Sequence, residues 1–172
     1  MKNTEKSNQS NLDGVNLLVS ILVCYPEIGT LRFEPQDDSL RITFILGKKV
    51  TEEELKIAKN LLRKSVLAYH TLERIENAVV SIKANHCGEM VFLNVVRDVE
   101  SLSKGEIALI TMLLKDMFGE NLIYDSNTTN IEEEGIIQDD FIDNMIGCMK
   151  LNHAVERLIG IREDGRVMIF NK

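Results

Sequence analysis

The chain has no tryptophan, and aromatic residues make up only 5% of its sequence. Its hydrophobic core must therefore be built mainly from leucine, isoleucine, valine and methionine side chains. The rest of the composition, 44% hydrophobic and 27% charged, is typical of a globular protein and not of a disordered chain. With 172 residues, the chain has the length of one domain, or of one domain with a small appendage.

Positive charge is also scarce, because 20 basic residues stand against 27 acidic ones and the net charge is −7. Phosphate groups are bound by basic patches, so this balance disfavours general binding to nucleic acids and to anionic membranes. The apolar run at residues 15–25 is too short to span a bilayer, and no signal-peptide cleavage pattern accompanies it. We therefore expect a cytoplasmic protein with no membrane association.

Residues with reactive or metal-binding side chains are few and scattered. The three cysteines, Cys24, Cys87 and Cys148, form no CxxC pair, which predicts free thiols in a reducing compartment. His86 and Cys87 are adjacent, but two residues cannot fill a four-coordinate metal site. The glycines form neither a GxGxxG motif nor a P-loop, and no serine lies in a GxSxG motif. The sequence thus indicates no catalytic residue, no metal and no cofactor, and it favours a non-enzymatic protein.

The most regular stretch, residues 51–76, predicts one long amphipathic helix. Thr51 and Glu54 have the spacing of a capping box. No glycine or proline interrupts the stretch. Its apolar residues recur at helical spacing, and we expect them to form the buried stripe; they are Leu55, Ile57, Ala58, Leu61, Leu62, Val66, Tyr69 and Leu72.

Local patterns predict the element order α-ββ-α-ββ-α-β, followed by α-ββ. Residues 1–11 are polar and are expected to form a disordered tail, so that the first helix begins at Leu12. Residues 12–125 should form an α+β core domain, and residues 126–137 an acidic loop or linker. Residues 138–172 should form a helix and a β-hairpin that pack on the core.

The predicted fold class is α+β, an antiparallel sheet with helices packed on it. Residues 40–124 follow the order β-α-β-β-α-β, the split-βαβ pattern of ferredoxin-like domains, and this order is compatible with a ferredoxin-like core. The strand at residues 29–33 complicates the topology. It competes with the last strand of the pattern for the same edge of the strand that starts at Leu40.

Three strand regions carry explicit side-chain patterns. In the first hairpin, alternation places Thr30, Arg32, Arg41 and Thr43 on one face and apolar residues on the other. The strand at residues 89–97 is apolar on both faces, so it needs cover from helices or from a partner subunit. In the last hairpin, the dipeptide Asp164-Gly165 predicts a type I′ turn. That turn pairs Ile161 with Met168, Ile159 with Phe170 and Glu163 with Arg166, and we expect the two apolar pairs to pack on the 138–152 helix.

These patterns favour a cytosolic protein-binding module of regulatory or adaptor type that forms a homodimer. One alternative is a small-molecule-sensing or weakly catalytic domain with a pocket between the sheet and the N-terminal helix. A second alternative is RNA binding through the first hairpin. Arg32 and Arg41 are the candidates for contact with an anion or a partner, although the hairpin lacks the stacking aromatics that RNA-binding sheets use.

Overall fold

The computed structural model describes residues 2–124, 139–152 and 154–171. Over these residues the α+β class is confirmed, with helices on a seven-stranded antiparallel sheet. The elements are α1 (Lys2–Cys24), β1 (Thr30–Glu34), β2 (Ser39–Leu46), α2 (Glu52–Leu72), β3 (Val80–Cys87), β4 (Met90–Asp98), α3 (Lys104–Phe118), a 3₁₀ turn (Gly119–Asn121), β5 (Leu122–Ile123), α4 (Asp139–Leu151), β6 (Leu158–Glu163) and β7 (Arg166–Asn171). The predicted acidic loop at residues 126–137 lies outside the described residues.

The sheet has the strand order β3-β4-β2-β1-β6-β7, and β5 also pairs with β2. Strands β2 and β3 flank β4, which is the arrangement of a split βαβ unit. Strands β1 and β5 both pair with the same edge of β2, because each pairs with a different part of that strand. Strand β1 pairs with residues 39–43 of β2, and β5 pairs with Ile45 and Leu46.

The described helices share one hydrophobic core with a single face of the sheet. In β2, the residues Leu40, Ile42, Phe44 and Leu46 are fully buried, whereas Arg41 between them is exposed. This alternation is the one that the sequence predicted for the first hairpin. Strand β4 is central, but helices cover only one of its faces, so the other face of the sheet lies open.

Helix α1 begins at Lys2, so the predicted disordered tail at residues 1–11 is wrong for residues 2–11, which are helical. Tertiary contacts explain the difference. Ser10 and Asp13 are buried, and the side chain of Asn11 accepts hydrogen bonds from the backbone N–H groups of Val155 and Glu156. A polar segment that looked free in the sequence is thereby held against the chain that follows α4.

Helix α2 begins as predicted, with both hydrogen bonds of the Thr51–Glu54 capping box present. It ends four residues early, at Leu72, and Arg74 behind it has a positive φ of 56°. Its buried stripe is narrower than predicted, because Ile57, Leu61 and Leu72 are exposed. The stripe consists of Leu55, Ala58, Leu62, Val66 and His70.

The last hairpin has the predicted register and the predicted turn, with positive φ at Asp164 and Gly165. The predicted face is wrong. The alternating set Ile159, Ile161, Met168 and Phe170 lies on the side away from the core, and Phe170 is 49% exposed. The other set, which faces the core, contains Gly160.

Gly160 faces helix α1, and a Cβ built there would lie 2.9 Å from Leu22 Cδ1. In the sequence, the core-facing set of residues is less apolar than the outward-facing set, because it contains this glycine. The missing side chain lets α1 approach the sheet closely. Helix α1 therefore covers β6 and β7, and α4 packs beside α1 with Ile142, Ile146 and Met149 buried.

No described helix is both long and apolar enough to cross a membrane.

Candidate functional site

The uncovered sheet face carries the two arginines that the sequence singled out. Arg32 of β1 and Arg41 of β2 are direct cross-strand partners, and Thr30 is the partner of Thr43 in the same strands. As predicted, all four side chains share one face. We call this surface the open face; its central residues come from β1, β2 and β4.

The open face contains a shallow cleft of about 330 Å³. A smaller cleft of about 160 Å³ adjoins it, and both arginines line both clefts. The larger cleft is lined by Thr30, Arg32, Arg41, Thr43, Ile45, Asn85, Phe92, Asn94 and Ile159. Besides β1 and β2 of the first hairpin, the strands β3, β4 and β6 contribute to this lining, and no sequence pattern indicated that they lie next to the hairpin.

The centre of the cleft is polar and held in place by hydrogen bonds. Thr43 Oγ1 donates to Asn94 Oδ1 at 2.7 Å, and the Asn94 amide donates to the backbone oxygen of Phe92 at 3.3 Å. The side chains of Ile45, Phe92 and Ile159 supply apolar surface around it. The cleft can therefore hold a ligand that has both a charged and an apolar part.

Positive charge is in local excess beside this cleft. Arg157 donates to both carboxylate oxygens of Glu34, at 2.8 and 3.0 Å, whereas Arg32 lies 4.0 Å from the same carboxylate. Among the described residues, no carboxylate lies within ion-pair distance of Arg41. Counting Asp37 with Glu34, three arginines face two carboxylates, which leaves one net positive charge on a chain of net charge −7.

The same charges act on Glu34. Its pKa is lowered, first by the hydrogen bonds from Arg157 and further by the charges of Arg157, Arg32 and Arg41. The pKa of Arg157 is raised in return by Glu34. Glu34 is thus engaged by Arg157, and the guanidinium groups of Arg32 and Arg41 remain the charged groups that an incoming anion would meet.

A second group of charged side chains lies buried between α2, β4 and α3. Arg97 and Glu106 are fully buried, and Arg97 donates to Glu106 through Nε and, at 3.0 Å, through a terminal nitrogen. His70 contacts Glu106 Oε1 through Nε2. Arg97 also donates to the backbone oxygen of Val79 at 2.8 Å and to Asp98. We call His70, Arg97, Asp98 and Glu106 the buried charge cluster.

Sequence reasoning missed this cluster, although two signals were present. Arg97 continues the core-facing alternation of Val91, Leu93 and Val95 in β4, so an arginine stands where an apolar residue is expected. Glu106 also has the spacing of a capping box with Ser103, which offers another explanation for its charge. Its backbone N–H does donate to Ser103 Oγ at 3.4 Å, but its carboxylate binds Arg97, so that box is only half formed.

Asp98 anchors the edge of the buried charge cluster. Burial alone would raise its pKa, but hydrogen bonds from Ser101 and from the backbone of Val79, together with Arg97, lower that pKa below its ordinary value. The cluster is closed to solvent at Arg97 and Glu106, so it stabilises the contact of β4 with α2 and α3 and offers no surface to a ligand.

The predicted pocket between the sheet and helix α1 has no counterpart among the described cavities. Leu18 and Leu22 of α1 are fully buried against the sheet. A depression of about 350 Å³ lies instead between the end of α1 and α3, beside Cys24 and Tyr25. Burial raises the pKa of the Cys24 thiol and, together with nearby acidic groups, raises that of Tyr25 to about 12, so neither group is activated as a nucleophile or a base.

Another depression, of about 440 Å³, lies at the loop after β2 and is lined by Lys48 and Lys49 among other residues. Lys48 lies 3.7 Å from Glu89, which offsets its charge. His86 Nε2 lies 2.6 Å from the Glu52 carboxylate, and the neighbouring Cys87 is an exposed free thiol. Within the described ranges, no three His, Cys, Asp or Glu side chains are grouped so that they would hold a metal ion.

The sequence matches no family model, and neither a curated protein nor a solved structure is significantly similar to the chain.

Proposed function

We propose that this chain is a non-enzymatic, cytosolic protein-binding module whose open face binds an acidic segment of a partner protein. The observation that carries the proposal is the pairing of Arg32 with Arg41 directly across two antiparallel strands. Like charges in that position destabilise a sheet, and Glu34, which lies 4.0 Å from Arg32, is already bound by Arg157. A bound anion would remove this repulsion.

The chemistry around the arginines favours a carboxylate on a peptide. Two guanidinium groups can bind carboxylates in a bidentate manner, and Thr30, Thr43 and Asn94 offer further hydrogen bonds. The apolar side chains of Ile45 and Phe92 suit a peptide in which apolar residues alternate with acidic ones. Protein interfaces are typically rich in arginine and aromatic side chains, and the cleft has both.

RNA binding through the first hairpin is the weaker alternative. Phe92 is the one aromatic side chain that lines the cleft in the described part of the chain, whereas RNA-binding sheets stack two or three bases on aromatics. The acidic net charge of −7 also opposes the approach of a phosphate backbone. A weakly catalytic role is disfavoured because the lining of the cleft contains neither histidine nor cysteine.

A binding assay with matched peptides tests the proposal. A fluorescent peptide of alternating glutamate and leucine residues should bind the protein, and the same peptide with glutamine for glutamate should bind far more weakly. Arg32→Gln with Arg41→Gln should raise the dissociation constant for the acidic peptide about a hundredfold or more, because it removes two charge-assisted hydrogen bonds worth about 1.5–3 kcal/mol each. Added salt should weaken the binding.

The control is Arg63→Gln, which removes an exposed arginine from helix α2, away from the open face, and should leave the dissociation constant unchanged. Equal binding of the two peptides, or an effect of Arg63→Gln as large as that of the double variant, would overturn the proposal. A single-stranded RNA oligonucleotide that binds more tightly than the acidic peptide, in an arginine-dependent manner, would favour the RNA alternative instead.

The expected homodimer stays a prediction. The sequence favoured a dimer because the strand at residues 89–97 is apolar on both faces. This argument is weaker in the structure, because β4 is central and one of its faces is covered. The edge strand β7 gives a stronger reason to expect a dimer.

A further inference from the structure

The sheet ends at β7, which pairs with β6 and with no other described strand. The two-residue turn at Asp164-Gly165 determines which backbone groups of β7 are used. In such a hairpin the residues that flank the turn exchange both backbone hydrogen bonds, and the bonded pairs alternate from there. Arg166, Met168 and Phe170 therefore direct their backbone groups to β6, and Val167, Ile169 and Asn171 direct theirs to the free edge.

The side chains along this edge are apolar. Val167 and Ile169 are half-buried against the core, which holds the strand in position, and Met168 and Phe170 lie on the open face. Within β7, only Arg166 at its start is charged. An apolar edge strand with free backbone groups is a template for pairing with another strand.

The opposite edge of the sheet shows the contrast. Strand β3 exposes Lys83, Asn85 and His86, and charged or polar side chains, lysine above all, prevent edge-to-edge pairing. The two edge strands of the sheet thus differ in their side chains, and β7 is the edge strand that can pair with another strand.

We infer that β7 pairs with β7 of a second copy of this chain, in an antiparallel register centred on Ile169. A second copy is the favoured occupant because the edge is complementary to itself. With Ile169 on the two-fold axis, all three outward-facing residues find a partner, since Val167 of each copy lies opposite Asn171 of the other. On the open face, Met168 of each copy lies opposite Phe170 of the other, which makes two apolar pairs. Centring on Val167 or Asn171 would leave part of the edge unpaired.

The contact joins two sheets into one and gives the expected homodimer an interface. It does not depend on the proposed acidic partner, because Arg32 and Arg41 lie two strands or more away from β7. Six residues from each copy are far fewer than the roughly 20–30 of a standard interface, so the dimer should be weak and dependent on concentration.

Light scattering and sedimentation over a micromolar to millimolar range test the inference with a charge exchange. Met168→Lys with Phe170→Lys places like charges opposite each other at both apolar pairs, and should raise the dimer dissociation constant about tenfold or more. Met168→Lys with Phe170→Glu places opposite charges there in the same register and should restore much of the association. The matched control is Val79→Lys with Ser81→Lys, which adds the same charges at the opposite edge of the sheet. It should leave the dimer dissociation constant unchanged.

Hydrogen exchange on the unmodified protein gives a second readout that needs no variant. The amide of Ile169 should exchange more slowly as protein concentration rises, and that of Met168, already bonded to β6, should not depend on concentration. A protein that stays monomeric at millimolar concentration would overturn the inference, and so would a dimer that is unaffected by the lysine pair or is not restored by the charge exchange. None of these results would affect the peptide-binding test, which is read on the open face.

Discussion

Arg97 is a charged residue at a position where strand geometry calls for an apolar one. It is fully buried at the end of the core-facing row of β4, and Glu106 is buried with it. Removing two such charges from water costs several kcal/mol each, and the protein offsets this with direct ion pairs and with hydrogen bonds to Val79 and Ser101. The buried charge cluster therefore determines how α2 and α3 pack on β4, and its removal should lower the free energy of unfolding.

Glu106→Gln tests this at the scale of one residue. The substitution keeps the shape of the side chain but leaves the Arg97 guanidinium with Asp98 as its only neighbouring carboxylate in the cluster. Breaking a buried ion pair should lower the free energy of unfolding by about 3–5 kcal/mol, measured by urea denaturation. Glu89→Gln, which breaks the exposed pair with Lys48, should lower it by less than about 1 kcal/mol. Similar losses in the two variants would mean that the cluster does not stabilise the fold.

The turn of the β6–β7 hairpin gives a prediction at the scale of an element. Asp164 and Gly165 have φ values of 50° and 74°, as a type I′ turn requires. A β-branched side chain fits poorly at positive φ, so Gly165→Val should destabilise the protein by roughly 1–2 kcal/mol. Gly165→Asn should be milder, because asparagine tolerates this conformation. Thermal unfolding of both variants measures the difference, and an equal effect of valine and asparagine would contradict the turn argument.

What the sequence predicted among the elements was set by short-range chemistry. The Thr51 capping box, the Asp164-Gly165 turn, the register of the last hairpin and the shared face of Arg32 and Arg41 all follow from residues close together in the chain. The strands themselves appeared in the predicted order, and the division of the β2 edge between β1 and β5 was the missing step.

What the sequence did not predict depends on residues far apart in the chain. Asn11 holds the start of α1 through Val155 and Glu156, and the close approach of α1 to Gly160 decides which face of the last hairpin is buried. The same holds for the candidate site. The arginine pair was visible in the first hairpin, but the cleft also needs Phe92 and Asn94 from β4 and Ile159 from β6.

At the scale of the whole molecule, the last helix and hairpin do not form a separate layer. Strand β6 pairs with β1 along Thr30 to Phe33, so the sheet runs without interruption from β3 to β7. The buried side chains of α4 belong to the same hydrophobic cluster as those of α1, α2 and α3. Lys104 at the start of α3 also donates its backbone N–H to Asp143 of α4 at 2.9 Å. A shared sheet and a shared core are the conditions under which a chain unfolds as one unit.

Urea denaturation with a local and a global probe should therefore give coincident transitions. The chain has no tryptophan, so Phe141→Trp, at a partly exposed position of α4, places a single fluorescent reporter in the C-terminal part. Its fluorescence should change at the same urea midpoint, and with the same slope, as the far-ultraviolet circular dichroism of the whole chain, because α4 packs on α1 and cannot leave it without exposing its own buried Ile142, Ile146 and Met149. The measurement is made at low micromolar concentration, so that dimerisation through β7 does not contribute to the unfolding transition. If the tryptophan signal changes at a clearly lower urea concentration, α4 opens before the rest of the sheet, and residues 138–172 behave as an appendage and not as part of one cooperative core.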